Sequence, residues 1–296
     1  MSQLSVGIEE YVIPDSGTGP YSITPGPDGA LWFTEIAAGR IGRISVDGVI
    51  EIFPLPSRES RPAIITTGRD GALWFTLSQG NQLGRITTSG EGELYPLPTS
   101  GADPFGITSG PDGALWFTEM GVNQIGRMTL DGEFREYPLK PGAFPSMIVS
   151  GPDGAVWFTQ NQGNSIGRIT VEGAITQYPL PSAGAGPVGI APGPDGALWF
   201  AEIQASRIGR ISLDGKVTEY ALRDGARPHA IVMGPDGALW FTQWGNNHIG
   251  RLTPGGDYAQ FELPTPQSEP HGIAVGPDGA LWFALERGGI GRLFLK

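Results

Sequence analysis

Two short phrases in the last third of the chain carry histidines in matching settings, RPHAI at Arg227 to Ile231 and EPHGI at Glu269 to Ile273. A further carboxylate, Glu286, ends the phrase WFALE at Trp282 to Glu286. If the fold gathers them, His271 stands between two carboxylates. Magnesium prefers octahedral oxygen and is usually held by one or two carboxylates plus water, which Glu269 and Glu286 can supply. His271 is then free as a base, because an imidazole titrates near neutrality and a neighbouring cation keeps it unprotonated. Zinc fits less well, since its closed sites need more histidine or cysteine than a chain with three histidines and no cysteine provides.

The elements that must position these groups are legible from an internal repeat. The phrase GPDGALWFT returns seven times with small changes, placing Trp32, Trp74, Trp116, Trp157, Trp199, Trp240 and Trp282 at intervals of 41 or 42 residues. Each repeat contains four strand-like runs: a Pro-x-x-Ile start, an ALWFT run, an IGRI run and an IxxYPLP run. Four short strands in about 42 residues is the size of one propeller blade. The turn signal PDG has a mechanism: proline pre-sets φ, aspartate bonds the local backbone and glycine accepts φ > 0. The last repeat stops after its third run, at IGRLFLK, while the chain begins with GIEEYVIP, which resembles a fourth. The expected fold is therefore all-β, a seven-bladed propeller of four-stranded blades over residues 1–296 as one domain, with the N-terminal strand completing the last blade and leaving no long open edge.

In such a ring the first strand of each blade lines the central channel. Eleven residues before each tryptophan stand Tyr21, Ala63, Phe105, Ser146, Val188, His229 and His271, so the two histidines depart from the repeat at one channel mouth. Just before the prolines stand Gly19, Arg61, Asp103, Phe144, Gly186, Arg227 and Glu269. The site is expected on blades 6, 7 and 1, neighbours in a closed ring. Trp244 has no counterpart in its column and either stacks on a ligand or covers a loop. Glu35, Glu119 and Glu202, directly after WFT or WFA, are expected to solvate the channel mouth. His248 shares its column with Arg40, Gln82, Gln124, Ser165, Arg207 and Gly289 and reads as a solvated loop residue. The arginine of every IGR or LGR and the aspartate of every PDG or RDG read as scaffold, because recurrence in all blades is what folding demands and function does not.

Composition narrows the partners. A formal charge of -11 argues against nucleic acid and anionic membrane, which need a basic face. Zero cysteines exclude disulfides and thiolate chemistry. The start, MSQLSVGIEEYVIP, lacks a basic and apolar leader, and no apolar stretch reaches spanning length, so a cytoplasmic monomer acting on a small molecule is the default expectation.

The seven variant copies of GPDGALWFTE with IGRI, together with RPHAI, EPHGI and WFALE, resemble the virginiamycin B lyase (streptogramin B lyase) family over the whole length. That resemblance implies a magnesium-dependent carbon–oxygen lyase that opens the lactone of type B streptogramin depsipeptides by elimination at threonine. It further implies His271 as the catalytic base or acid, Glu269 and Glu286 as the magnesium ligands, and His229 in contact with substrate. Tyr21, in GPYSI, matches the family pattern as a substrate-binding or proton-assisting group, and Trp244 joins the substrate-binding set. A lactone hydrolase and a non-catalytic ligand-binding propeller are the competing readings.

Overall fold

The computed structural model describes residues 4–15 and 17–296. Seven four-stranded antiparallel sheets are arranged as blades, each running from an inner strand to an outer one. Blade 1 comprises Pro20–Pro25, Leu31–Glu35, Arg40–Ile44 and Ile50–Pro54. Blade 7 takes Pro270–Val275, Leu281–Leu285 and Gly289–Leu295 from the end of the chain, and Val6–Val12 from its beginning as the outer strand. The register there runs from Val6 opposite Leu295 to Val12 opposite Gly289, which closes the ring as the truncated last repeat requires. Among the described residues no helix is long and apolar enough to cross a membrane.

One aspartate per blade explains why the repeat is so regular. The Trp Nε1–H donates to Asp Oδ1 at 2.9–3.1 Å in all seven blades, and the backbone N–H of the following alanine donates to the same oxygen. The arginine of the third strand donates from Nε to Oδ2 at 2.6–2.8 Å. In blades 2 to 7 that guanidinium also lies over the indole, 5.6–6.0 Å from a ring centroid. Each tryptophan is fully buried, so its N–H needs a partner inside the protein. Burial pushes the Asp112 carboxyl up, but hydrogen bonds from Trp116 and Arg127 outweigh it and hold the group below its ordinary range; the other six aspartates behave alike. The glycine of IGR lies under the ring of the WF phenylalanine. A Cβ on Gly42 would sit 2.0 Å from Phe33 Cζ, so glycine is required for packing and not for its backbone freedom.

Adjacent blades are tied by the threonine of WFT. Its Oγ1 donates to a carbonyl on the next blade's inner strand in blades 1, 2, 3, 4 and 6, at 2.6–2.8 Å. It also accepts an N–H from its own blade's inner strand, as from Ser22 and Ala230, where the ladder shifts register between the proline and the isoleucine. These bulges release the residues between proline and isoleucine from strict pairing, and bulges beside functional sites commonly re-aim a side chain.

Two expectations are corrected. Glu35, Glu119 and Glu202 do not solvate the mouth; each is fully buried within its blade. Glu35 pairs with Arg40 at 2.5 Å, whereas neither oxygen of Glu119 or Glu202 finds a donor among the described residues. Burial, reinforced by the charge of Glu136, pushes the Glu119 carboxyl up to about 8; burial and Glu219 push Glu202 up to about 7. Blade 4 has glutamine at both places, and Gln177 donates to Gln160 at 2.9 Å. His248 is no loop residue either: it opens the third strand of blade 6, half-buried, with Nδ1 2.6 Å from the Asn246 carbonyl. The repeat alignment gave the column of these residues but not their direction, which strand alternation sets.

Replacing Asp112 by alanine strands a buried indole N–H and an arginine together, and should lower stability by about 2–4 kcal/mol in reversible urea unfolding. Asp112→Asn keeps the acceptor for Trp116 and should lose about half as much; a change below about 0.5 kcal/mol for both would sink the lock. Glu119 holds its proton in the folded state up to about pH 8 and releases it near its ordinary value when unfolded. Its contribution is therefore fully present at pH 4 and is lost as pH rises through 8. Glu119→Gln, which copies blade 4, should raise the unfolding free energy by a few kcal/mol at pH 9 and change it little at pH 4. Equal effects at both pH values would show that the buried acid carries no proton.

Candidate functional site

The inner strands of blades 6, 7 and 1 bring the sequence-singled residues together at one mouth of the channel. His229 and His271 follow the prolines that open Pro228–Met233 and Pro270–Val275, and Tyr21 follows Pro20. Their rings make a triangle: His229 to His271 at 4.6 Å and nearly perpendicular, Tyr21 to His271 at 4.5 Å, and Tyr21 to His229 at 5.8 Å between centroids. The Tyr21 hydroxyl lies 3.4 Å from His229 Nε2. Trp244, in the turn after Leu239–Gln243, stands 6.5 Å from the His271 ring, with the Arg227 guanidinium 5.4 Å from the indole centroid. Phe105 meets Tyr21 edge-on from blade 3.

His271 is the most firmly placed of these groups. Thr242 from blade 6 donates to its carbonyl at 2.7 Å. The equivalent threonine is Ala201 in blade 5 and Ala284 in blade 7, so the His229 and Tyr21 carbonyls lack that tie. Gly272, in EPHGI, lets blade 7 approach blade 1: a Cβ there would sit 2.8 Å from the Tyr21 carbonyl oxygen. His271 Nε2 is 2.5 Å from Glu286 Oε2, and the Glu286 N–H donates to the Glu269 carbonyl, which holds the two acidic residues side by side.

The electrostatics divide the site. The hydrogen bond from His271, partly opposed by burial, holds the Glu286 carboxyl below its ordinary value, so Glu286 is ionised and accepts from His271 Nε2–H. His271 Nδ1, on the other side of the ring, is buried and has no hydrogen-bond partner among the described residues. Burial in the channel, with the neighbouring His271, pushes His229 down to about 3, so its ring is neutral at physiological pH. Burial and then the Glu286 charge push the Tyr21 hydroxyl up, and it keeps its proton.

The donor set suits a hard cation with much of its shell left to water. Glu269 gives one oxygen to Arg287 at 2.7 Å and Glu286 gives one to His271; among the described residues the second oxygen of each has no protein partner. No group of three or more histidine, aspartate or glutamate side chains among the described residues could cage a metal. Two carboxylates with water is how magnesium is commonly bound, and it is not how a closed zinc site is built.

The sequence did not reveal the backbone at the rim. All seven residues before the inner-strand prolines are left-handed, with φ between 45° and 67°, although only Gly19 and Gly186 are glycine. Arg61, Asp103, Phe144, Arg227 and Glu269 are thus non-glycine residues held in a conformation L side chains rarely adopt. The alternation of glycine with bulky residues in that column was the available signal.

A sequence profile described as the virginiamycin B lyase family matches residues 6–293. A streptogramin B lyase structure superposes with a TM-score of 0.95 at 43% identity, covering 98% of each chain. A catalytically inactive histidine-to-alanine variant of virginiamycin B lyase from Staphylococcus aureus, solved with quinupristin, gives 0.95 at 44% identity over 99% of this chain and 100% of that one. The virginiamycin B lyase of Saccharopolyspora erythraea is 53% identical over 44 residues, a stretch spanning 15% of this chain and 15% of that protein. With the family profile matched over residues 6–293 and two solved lyases superposing over nearly the whole chain at 43–44% identity, the chain belongs to the virginiamycin B lyase family.

Proposed function

We propose that this protein inactivates type B streptogramins by eliminative opening of their lactone at threonine, with His271 as the base. The observation that carries this is the His271 ring itself: its Nε2 is held by an ionised Glu286 while its Nδ1 is buried without a partner. An imidazole so oriented has one nitrogen available to accept a proton, and the carboxylate stabilises the imidazolium that forms. The relatives support the substrate class, since one of them is a streptogramin B lyase and another binds quinupristin and is inactivated by loss of a histidine.

His271 Nδ1 takes the Cα proton of the threonine whose side-chain oxygen closes the ring. The C–H electrons form the Cα=Cβ bond, the Cβ–O bond breaks, and the oxygen leaves as a carboxylate. The proton passes from His271 to solvent, so atoms and charge balance without water being added. Tyr21, still protonated, and the neutral His229 line the same mouth and offer hydrogen bonds to substrate carbonyls, while Trp244 offers a flat apolar face. Glu269 and Glu286 would hold magnesium, which when bound supplies positive charge near the carbonyl whose α-proton is removed. The chain then works as a monomer on a small molecule, with no nucleic acid or membrane partner.

His271→Ala should lower kcat by roughly 10²–10⁴-fold while the cyclic antibiotic still binds. Addition of a chelator to the parent protein should abolish turnover, and added magnesium should restore it. Turnover by His271→Ala within about threefold of the parent would remove the base from this account, and full activity in excess chelator would remove the metal.

A further inference from the structure

Gly92 stands where the other blades carry a side chain. It opens the outer strand of blade 2, which comprises Pro62–Thr67, Leu73–Leu77, Gln82–Ile86 and Gly92–Pro96, and it pairs with Ile86. At the same register the other six outer strands place Ile8, Ile50, Phe134, Ile175, Val217 and Tyr258. Neither the backbone nor the packing requires glycine there. Gly92 is not left-handed, and among the described residues a Cβ on it would meet one atom within 4 Å, the Arg85 carbonyl oxygen at an ordinary 3.5 Å.

The missing side chain leaves a cavity of about 280 Å³ between blades 1 and 2, lined chiefly by Phe53, Leu55, Phe75, Ile86 and Leu94, with Gly92 at its exposed rim. None of these residues belongs to the channel mouth. The lining is fixed before any ligand arrives: Phe53 stacks on Trp32 at 5.2 Å, and Phe75 and Ile86 are buried in the core that the two blades share. Two sibling blades show what such a slot holds. In blade 3 the Phe134 ring meets Phe117, the counterpart of Phe75, edge-on at 6.5 Å; in blade 6 Tyr258 stacks on Phe241 at 6.3 Å. The Tyr258 hydroxyl lies 3.0 Å and 2.6 Å from the side-chain oxygens of Gln243 and Gln260. Blade 2 has Leu77 and Leu94 in those places, so a hydroxyl would find no such partner.

We infer that blade 2 carries a second binding site, outside the channel, for a monocyclic aromatic ring that bears no hydroxyl. The ring occupies beside Phe75 the place that Phe134 and Tyr258 fill in blades 3 and 6. It removes its own apolar surface from water together with that of the half-buried Phe53, Leu55 and Leu94, and contact with the Phe75 ring adds to that gain. A cavity of roughly 150 Å³ lined by Leu, Ile and Phe is enough to take up benzene. The cavity beside Gly92 is larger and is open at one side.

The test uses the full-length protein with fluorobenzene as the probe, titrated by ¹⁹F NMR and mapped on the methyl resonances of isoleucine and leucine. The parent should bind a single equivalent with a Kd of about 1 mM or tighter. The methyls of Ile86 and Leu94 should move, while those of Ile231 and Ile273, which line the channel, stay in place. Gly92→Phe, which copies blade 3, should abolish saturable binding and by itself raise the unfolding temperature by about 2–6 °C. Gly92→Ala adds a single methyl group and should keep the affinity within about threefold. If Gly92→Phe does not fold, Gly92→Ile, which copies Ile50 of blade 1, decides the same point by loss of binding. Saturable binding that persists in the filled variant overturns the assignment, as do shifts confined to the channel methyls or an absence of saturable binding in the parent. None of these measurements depends on streptogramin turnover, so the site stands or falls apart from the proposed elimination.

Discussion

The aspartate in the turn of each blade is the group on which the rest of the molecule depends. It satisfies an indole N–H that has no access to water, a backbone N–H and a guanidinium on the third strand, and it does so seven times over. Burying a tryptophan in every blade removes a large apolar surface from water, but only if the indole N–H is not left unpaired. The aspartate meets that requirement and fixes the turn, the tryptophan and the arginine in one geometry. With the scaffold determined by this unit, residues outside it are released from the demands of folding, and those are the residues that gather at the mouth.

Closure of the ring carries that freedom to the site. His229, His271 and Tyr21 belong to three blades, and Tyr21 meets the other two where the ring closes, with the inner strand of blade 1 beside that of blade 7. The low polarity of the channel keeps His229 and Tyr21 uncharged, while Glu286 stays ionised against His271. Neutral hydrogen-bonding groups and one charged dyad thus share a space a few ångströms across. This is the division of labour expected where a weak carbon acid is to be deprotonated, since binding groups must not compete with the base for the proton.

Much of this was legible in the residues. The tryptophan spacing gave the blade count, and the missing fourth run after IGRLFLK gave the closure by Val6–Val12. Counting eleven residues back from each tryptophan gave Tyr21, His229 and His271 as mouth residues. Spacing within a repeat reports the column of a residue and not the side of the strand it faces. That is why Glu35, Glu119 and Glu202 were expected in water and are buried instead. Left-handed backbone before the prolines was equally hidden, because Arg61 and Glu269 adopt what glycine adopts at Gly19 and Gly186. The pairing of Glu269 with Arg287 and of Glu286 with His271 depends on side-chain direction, which no repeat specifies.

The central claim is that the ring is opened by proton abstraction without addition of water. It is tested most directly by mass spectrometry of a type B streptogramin after incubation with the protein in ¹⁸O-labelled water. Elimination predicts a product of unchanged mass, free of label, with altered retention and a dehydrobutyrine residue on fragmentation. A product heavier by one labelled water, with an intact threonine hydroxyl, would show hydrolysis and contradict the account.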